Sequence, residues 1–290
     1  NRSGYTTIIR DGPIVRMYYC GSRIDLHEDG YRIPHSFTCY AESQDGIHWI
    51  RPDLDLVDVP SNEPNNVILK GQPALTFTPF LDTNPDCPEG ERYKALSLQY
   101  EPPPRGLCGW TSPDGITWSQ ISKEPFITKG YFDSMNIAFW DAIRGEYRAY
   151  IRDFRGSREA AAREVAVRDI RTCTSPDFLS WTEPEWLSYE PERFSELYTN
   201  QINPYYRAPH LSVGLPMRYV TGHGYVTEMN ERISRSQQRF GTSYTDTALM
   251  TSRDGSTFDM WGDAFIRPGP VQRNRWHYGA NRAALGMVEA

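Results

Sequence analysis

Four copies of one short signature constrain this chain more than any other feature of it. Ser43-Gln-Asp45-Gly-Ile-His-Trp49, Ser112-Pro-Asp114-Gly-Ile-Thr-Trp118, Ser175-Pro-Asp177-Phe-Leu-Ser-Trp181 and Ser252-Arg-Asp254-Gly-Ser-Thr-Phe258 each carry a Ser, an Asp two residues on, and an aromatic four residues after the Asp. The Asp positions recur at a near-constant interval. Asp-Gly provides the positive φ that a tight hairpin turn demands, and the aromatic can then fold back on the neighbouring strand. Repetition at a fixed period means a fold made of repeated supersecondary units.

Between the signatures the chain reads as strands. A short run precedes each Ser: Phe37–Ala41, Leu107–Thr111, Asp169–Cys173 and Thr247–Thr251. A Tyr- or Arg-rich run lies further upstream: Val15–Tyr19, Arg92–Leu98, Glu146–Ile151 and His210–Tyr219. A third run, Asn66–Leu69, Asn136–Trp140 or Tyr198–Ile202, reads as the innermost strand of the second, third and fourth units. Three or four short strands per unit match a long-looped propeller blade. Trp276–Val288 reads as the inner strand of one more unit, and Tyr5–Ile9 as a strand at the other end. The expectation is an all-β, five-bladed β-propeller over residues 1–290, one domain with its last blade incomplete and its ends trimmed. A four-bladed ring, or an open sandwich of repeats, is the alternative. Ser157–Val167, Ala- and Arg-rich without an apolar stripe, reads as a solvated helix-like excursion, and Met229–Tyr244 as a polar insertion.

Composition excludes several functions. The net charge of −6 with interspersed signs argues against a nucleic-acid-binding face, which needs a concentrated basic surface. No apolar run reaches the length of a membrane span. Five cysteines without a CxxC pair indicate neither a zinc site nor a disulfide framework, and Cys39 and Cys108 read as small core residues. There is no His-x-x-x-His pair and no calcium-type Asp loop, so neither metal nor cofactor is expected. The 18 Tyr and 8 Trp suit strands and sugar-binding clefts alike.

The blade rhythm and the Ser-x-Asp-Gly-x-x-Trp turns resemble the five-bladed propeller glycoside hydrolases of the invertase and arabinanase type (glycosyl hydrolase families 32 and 43). Such enzymes carry acidic residues at the starts of inner strands, pointing into an axial funnel. By that resemblance Phe132-Asp133-Ser-Met-Asn136 stands where invertases have a Phe-Arg-Asp-Pro segment, and Glu196-Leu-Tyr-Thr-Asn200 where the family has its acid Glu. The family's Asn-Asp-Pro-Asn-Gly, Arg-Asp-Pro and Glu-Cys segments are absent. Glycoside cleavage needs one carboxylic acid to protonate the leaving oxygen and a second carboxylate to attack or to activate water. Glu196 is the expected acid and Asp133 the expected orienting carboxylate, with Glu190 and Glu192 as substitutes on the same loop. The third carboxylate belongs at the start of the first inner strand, near Tyr5, where the sequence supplies none before Asp11.

Asn66, Asn136, Asn200 and Asn281 head the inner runs, either as a ring of amides facing a polyol or as caps on strand ends. Arg207 and His210, beside Tyr205 and Tyr206, are further sugar-contact candidates. The implied partner is an oligo- or polysaccharide, and the implied address extracytoplasmic or secreted. A non-catalytic carbohydrate-binding propeller is the competing function. A protein-interaction propeller fits less well, because the long loops build a pocket face.

Overall fold

The signature turns share one hydrogen-bonding scheme, and their chemistry explains why. In each, the Ser hydroxyl donates to the Asp Oδ1 at 2.9–3.0 Å. The same oxygen accepts the backbone N–H groups two and three residues on, at 2.7–2.8 Å. At Gly46, Gly115 and Gly255 the backbone N–H donates back to the Ser oxygen at 2.8 Å. One short side chain thus satisfies donors that a tight turn would otherwise strand.

The computed structural model describes residues 2–22, 25–27, 30–32, 36–59, 64–156, 166–192, 196–221, 228–235, 242–269 and 281–289. Within them the chain is all-β apart from two short 3-10 turns and one helix, α1 (Glu228–Ser234). That helix lies in the segment expected to be a polar insertion. No helix among the described residues is long and apolar enough to cross a membrane.

The first three repeats each become one four-stranded antiparallel sheet, and the fourth is split into two. Sheet I comprises β1 (Arg2–Asp11), β2 (Ile14–Ser22), β5 (Ser36–Ser43) and β6 (Val67–Lys70), with a small hairpin of β3 (Asp25–His27) and β4 (Gly30–Arg32) inserted. Sheet II runs β7 (Thr78–Leu81), β8 (Tyr93–Gln99), β9 (Gly106–Ser112), β10 (Ser119–Gln120). Sheet III runs β11 (Ile137–Asp141), β12 (Glu146–Arg155), β13 (Val167–Ser175), β14 (Glu185–Trp186).

Sheet IV is built from broken strands. Its inner strand is β16 (Glu196–Leu197) followed by β17 (Ile202–Tyr205). The second is β18 (Ala208–Gly214) with β19 (Met217–Val220), interrupted at Pro216, and the third is β20 (Tyr244–Thr247) with β21 (Met250–Ser252). β22 (Thr257–Met260) closes it and takes β15 (Ser188–Glu190) as a parallel neighbour. Every signature turn follows the third strand of its sheet, as expected, so all four lie on one rim.

The first strands β1, β7, β11 and β17 pack one after another, and a single buried cluster runs from Tyr5 and Cys20 through Phe80, Ile137 and Ile151 to Ile202 and Leu285. Forward-reaching polar contacts join the sheets. Asp11 at the end of β1 accepts the Tyr93 hydroxyl of sheet II, and Asp82 after β7 accepts that of Tyr147 in sheet III at 2.6 Å. The Tyr150 hydroxyl donates to the Gly255 carbonyl in the fourth signature turn at 2.8 Å. Residues 281–289 then reach back to sheet I: Leu285 exchanges backbone hydrogen bonds with Ile8 (2.7 Å) and Thr6 (2.8 Å), while Thr245 of sheet IV donates to the Asn281 carbonyl.

Strand register explains an irregularity of the third repeat. Arg16, Lys94 and Arg148 occupy one equivalent position on the second strands, and Tyr18, Leu96 and Tyr150 another. Tyr18 reaches the turn of the next sheet, where a Cβ on Gly115 would stand 2.6 Å from its hydroxyl oxygen; Tyr150 does the same at Gly255. Sheet II has the shorter Leu96 instead, and the facing turn in sheet III carries Phe178, fully buried, at φ 66°. Its ring packs on Phe80, Phe126, Tyr147 and Trp181.

Two sequence expectations change. Asn66–Leu69 is the fourth strand of sheet I, paired with Phe37–Cys39; the inner strand of sheet II is β7. Val167 begins β13, and residues 157–165 of the expected excursion lie outside the described residues, as do residues 276–280 of Trp276–Val288. The cysteines are all free, Cys108 buried as expected and Cys39 only half-buried.

Candidate functional site

Because first strands run toward the signature rim, their starts, the ends of second strands and the starts of third strands gather at the opposite end of the sheets. Asp133 lies there, just ahead of β11, and Glu196 opens the interrupted inner strand of sheet IV. Asp133 is ion-paired with Arg152 of β12, and Glu196 accepts a hydrogen bond from Arg168 Nη1 of β13 at 2.5 Å. Both arginines are buried. Phe154 lies between them, its ring centroid 4.1 Å from the Arg152 guanidinium carbon and 5.5 Å from that of Arg168. Tyr198 faces both as well, at 5.5 and 5.8 Å. The two carboxylates therefore stand on one continuous stack of cations and rings.

More aromatic residues extend it. Tyr131 meets Phe154 edge to face with centroids 5.1 Å apart, and its carbonyl accepts Arg152 Nη1 at 3.0 Å. Arg105, just ahead of β9, has its guanidinium carbon over the rings of Tyr100 (4.6 Å) and Tyr131 (4.4 Å). Tyr219 packs on Arg168 at 4.3 Å. The Tyr5 hydroxyl lies 3.4 Å from that of Tyr198, and Arg282 covers the Tyr5 ring at 4.6 Å. Burial and then the Asp133 charge push the Tyr100 phenol up. The Tyr5 phenol, then burial and Asp133, do the same to Tyr198.

The backbone is irregular at the same place. β1 carries a bulge between Gly4 and Thr7, with Tyr5 at φ 49°, and the break between β16 and β17 holds Gln201 at φ 38°. Non-glycine residues with positive φ cost free energy and gather at functional sites, and bulges re-aim side chains beside them.

The amides do not form the expected ring. Asn136 and Asn200 flank the carboxylates, but both are fully buried. Asn136 Nδ2 donates to the Phe132 and Ser134 carbonyls at 2.9 Å, and its Oδ1 accepts the Arg152 N–H at 3.0 Å. Asn200 Nδ2 donates to the Tyr150 carbonyl at 2.9 Å. These amides cap backbone rather than face a ligand. Asn281 lies at the same end, half-buried, its Nδ2 3.5 Å from the Thr245 carbonyl. Asn66 is elsewhere, at the edge of sheet I, donating to the Tyr19 hydroxyl at 3.0 Å.

Arg207 and His210 are also elsewhere. The β17–β18 hairpin that carries them is at the far end of the inner strand, on the signature rim, where both are exposed and Arg207 pairs with Glu289. Tyr5, Arg105, Tyr131, Arg152, Phe154, Arg168 and Tyr198 were missed in sequence. The available signal was an arginine two residues from an aromatic within a strand, as in Arg152-Asp-Phe154. Among the described residues no group of three or more His, Cys, Asp or Glu side chains is arranged to hold a metal ion.

No protein-family model matches this chain. It is 30% identical over 154 residues to the uncharacterized proteins Rv1502 and MT1551 of Mycobacterium tuberculosis (strains ATCC 25618 / H37Rv and CDC 1551 / Oshkosh), a match covering 53% of this chain and 44% of each relative. The chain thus spans less than half the length of these curated relatives. Its fold is similar to that of several solved glycoside hydrolases. A glycosyl hydrolase from Bacteroides ovatus superposes with a TM-score of 0.54 at 15% identity, covering 97% of this chain and 76% of the other. An endo-arabinase from Bacteroides thetaiotaomicron VPI-5482 gives 0.52 at 8% identity, covering 91% and 81%. A GH130 structure, from a family of mannoside phosphorylases containing glycoside hydrolases that target beta-1,2 mannosidic linkages in Candida mannan, gives 0.53 at 15%, covering 93% and 73%.

Proposed function

We propose that this chain forms a five-bladed propeller whose Asp133–Glu196 face takes an oligo- or polysaccharide and cleaves or transfers a furanose or related glycoside. The observation that carries the reading is the common aromatic stack under the two carboxylates, at the end of the sheets where inner strands begin. Aromatic faces hold sugar rings by apolar contact, and paired carboxylates supply the acid and the nucleophile or base of glycoside cleavage. Glu196 is assigned the proton-donor role and Asp133 the orienting one. The five-blade count rests on residues 281–289, which stand between sheets IV and I as the inner strand of a fifth blade would. Fold alone does not fix chemistry, so the test is direct.

The intact protein is screened against arabinosides, fructosides, galactosides and mannosides. Glu196→Gln should lower turnover at least 100-fold, within the range contributed by general acid catalysis, while ligand binding persists. Asp133→Asn should lower turnover with a rise in KM. Binding without any turnover across the screen would identify a carbohydrate-binding propeller instead, a reading to which the arginine clamps on both acids are also suited. Equal loss of binding and turnover in Glu196→Gln would reduce Glu196 to a structural role.

A further inference from the structure

Among the described residues the candidate site holds more cation than its own acids neutralise. Arg152 and Arg168 have Asp133 and Glu196; Arg105 and Arg282, on the same set of rings, have no carboxylate oxygen within 4.0 Å among the described residues. Arg105 is the more telling of the two. Its guanidinium carbon lies over the rings of both Tyr100 and Tyr131. Buried Nε and Nη2 find no hydrogen-bond acceptor among the described residues. Leaving such donors unmatched carries the full desolvation penalty of each, and the penalty is larger for a charged group. Arg152 and Arg168 add a buried, unmatched Nε each. A guanidinium fork held over two rings is pre-organised for a planar or tetrahedral oxyanion, which it binds through two parallel hydrogen bonds.

We infer that the glycan taken at this face is anionic, and that Arg105 binds an acidic group on the sugar, a carboxylate or a phosphate ester. The inference rests on the proposed carbohydrate function and specifies its substrate class. Arg105 belongs to sheet II and Glu196 to sheet IV, while Tyr131 and Arg152 link them through sheet III. The acidic group would thus mark one side of the bound sugar relative to the carboxylate pair. Tyr100 and Tyr131 set the guanidinium plane, which makes them positioning residues.

The experiment is calorimetric titration of the intact protein with three matched oligosaccharides ending in glucuronate, 6-phosphoglucose or glucose, at 50 and 300 mM salt. An acidic terminus should bind at least 10-fold more tightly than glucose, and its advantage should shrink at the higher salt. Preference for glucuronate names a carboxylate, and preference for 6-phosphoglucose a phosphate ester. Arg105→Gln should lower the affinity for the acidic ligands far more than that for the glucose-terminated one and so erase the preference; Arg105→Lys should retain part of it. Thermal denaturation of each variant verifies folding. If the neutral ligand binds as tightly as both acidic ones, or if Arg105→Gln weakens all three equally, the anionic assignment fails while the carbohydrate function stands. Absence of binding to all three, alongside an empty screen on neutral glycosides, removes both.

Discussion

Replacing Phe178 by Gly tests the idea that the sheets are matched in pairs. The substitution brings the third signature turn to the sequence of the other three. At φ 66° a glycine is favoured over a side chain by about 1 kcal/mol. Against this stands the loss of a fully buried phenyl ring packed on Phe80, Phe126, Tyr147 and Trp181. Truncation of such a ring costs about 3–5 kcal/mol. The cavity therefore outweighs the relaxed backbone, and Phe178→Gly should destabilise by about 2–4 kcal/mol. Register equivalence then names the rescue. Leu96 stands where Tyr18 and Tyr150 stand in sheets I and III, so Leu96→Tyr should fill the space that Phe178→Gly opens. Alone, Leu96→Tyr overpacks and costs about 1–3 kcal/mol. Urea denaturation of the four proteins completes a double-mutant cycle, with an expected coupling of about 1–3 kcal/mol in favour of the double variant. A neutral Phe178→Gly, or strictly additive single effects, would refute the pairing of second-strand side chain with next-sheet turn.

Three other outcomes follow from the same structure. Lys94→Met leaves the Asp82 carboxylate, 2.6 Å from the lost ammonium and fully buried, without its cation; stability should fall by about 3–5 kcal/mol, read by thermal denaturation. Burial would lower the Lys94 pKa, but Asp82 outweighs it and holds it above the ordinary value, so this contribution is complete below about pH 10 and disappears only as pH rises through the folded value. In acid the signature turns act with the opposite sign. For Asp254, burial opposes ionisation, but the Thr257 and Ser256 N–H groups prevail and the pKa is pushed down to about 2. Its contribution is present above about pH 4 and lost between there and about pH 2. Asp254→Asn should flatten the fall in Tm over that window while keeping the turn; an unchanged acid limb would exclude the signature carboxylate as a source of acid lability. Trp118→Ala, which removes edge contacts to Phe77, Tyr18 and Tyr93, should cost about 2–4 kcal/mol in the same assay, and a change under about 0.5 kcal/mol, the range of ordinary surface substitutions, would exclude the core role of that aromatic.

The strands and turns were legible in the sequence because their determinants are local. Ser112, Asp114 and Gly115 specify a turn within four residues, and the Tyr- or Arg-rich run Arg92–Leu98 reads as a strand from its own residues. Strand identity within a sheet is not local. Asn66–Leu69 has the pattern of an inner strand, yet it pairs with Phe37–Cys39, and the true inner strand β7 is disguised by Pro79. Asp133 and Glu196 were placed at one end of the fold by their position before inner strands. The buried arginines beside them were not, because Arg in a strand ordinarily signals solvent, and only the facing rings Phe154 and Tyr198 turn Arg152 and Arg168 inward. Arg207 and His210 failed for a simpler reason: a hairpin at the far end of an inner strand is a full strand length from that strand's start.

The links Asp11 to Tyr93, Asp82 to Tyr147 and Tyr150 to Gly255 all point from one repeat to its successor. Each repeat supplies half of two seams and owns neither. Duplicating, deleting or exchanging one repeat would therefore leave a mismatched seam on both flanks, as the joint departure of Leu96 and Phe178 from the other repeats illustrates. Divergence of the repeats must proceed as concerted changes across seams, so the unit of inheritance in this architecture is the junction between neighbouring sheets, not the sheet itself.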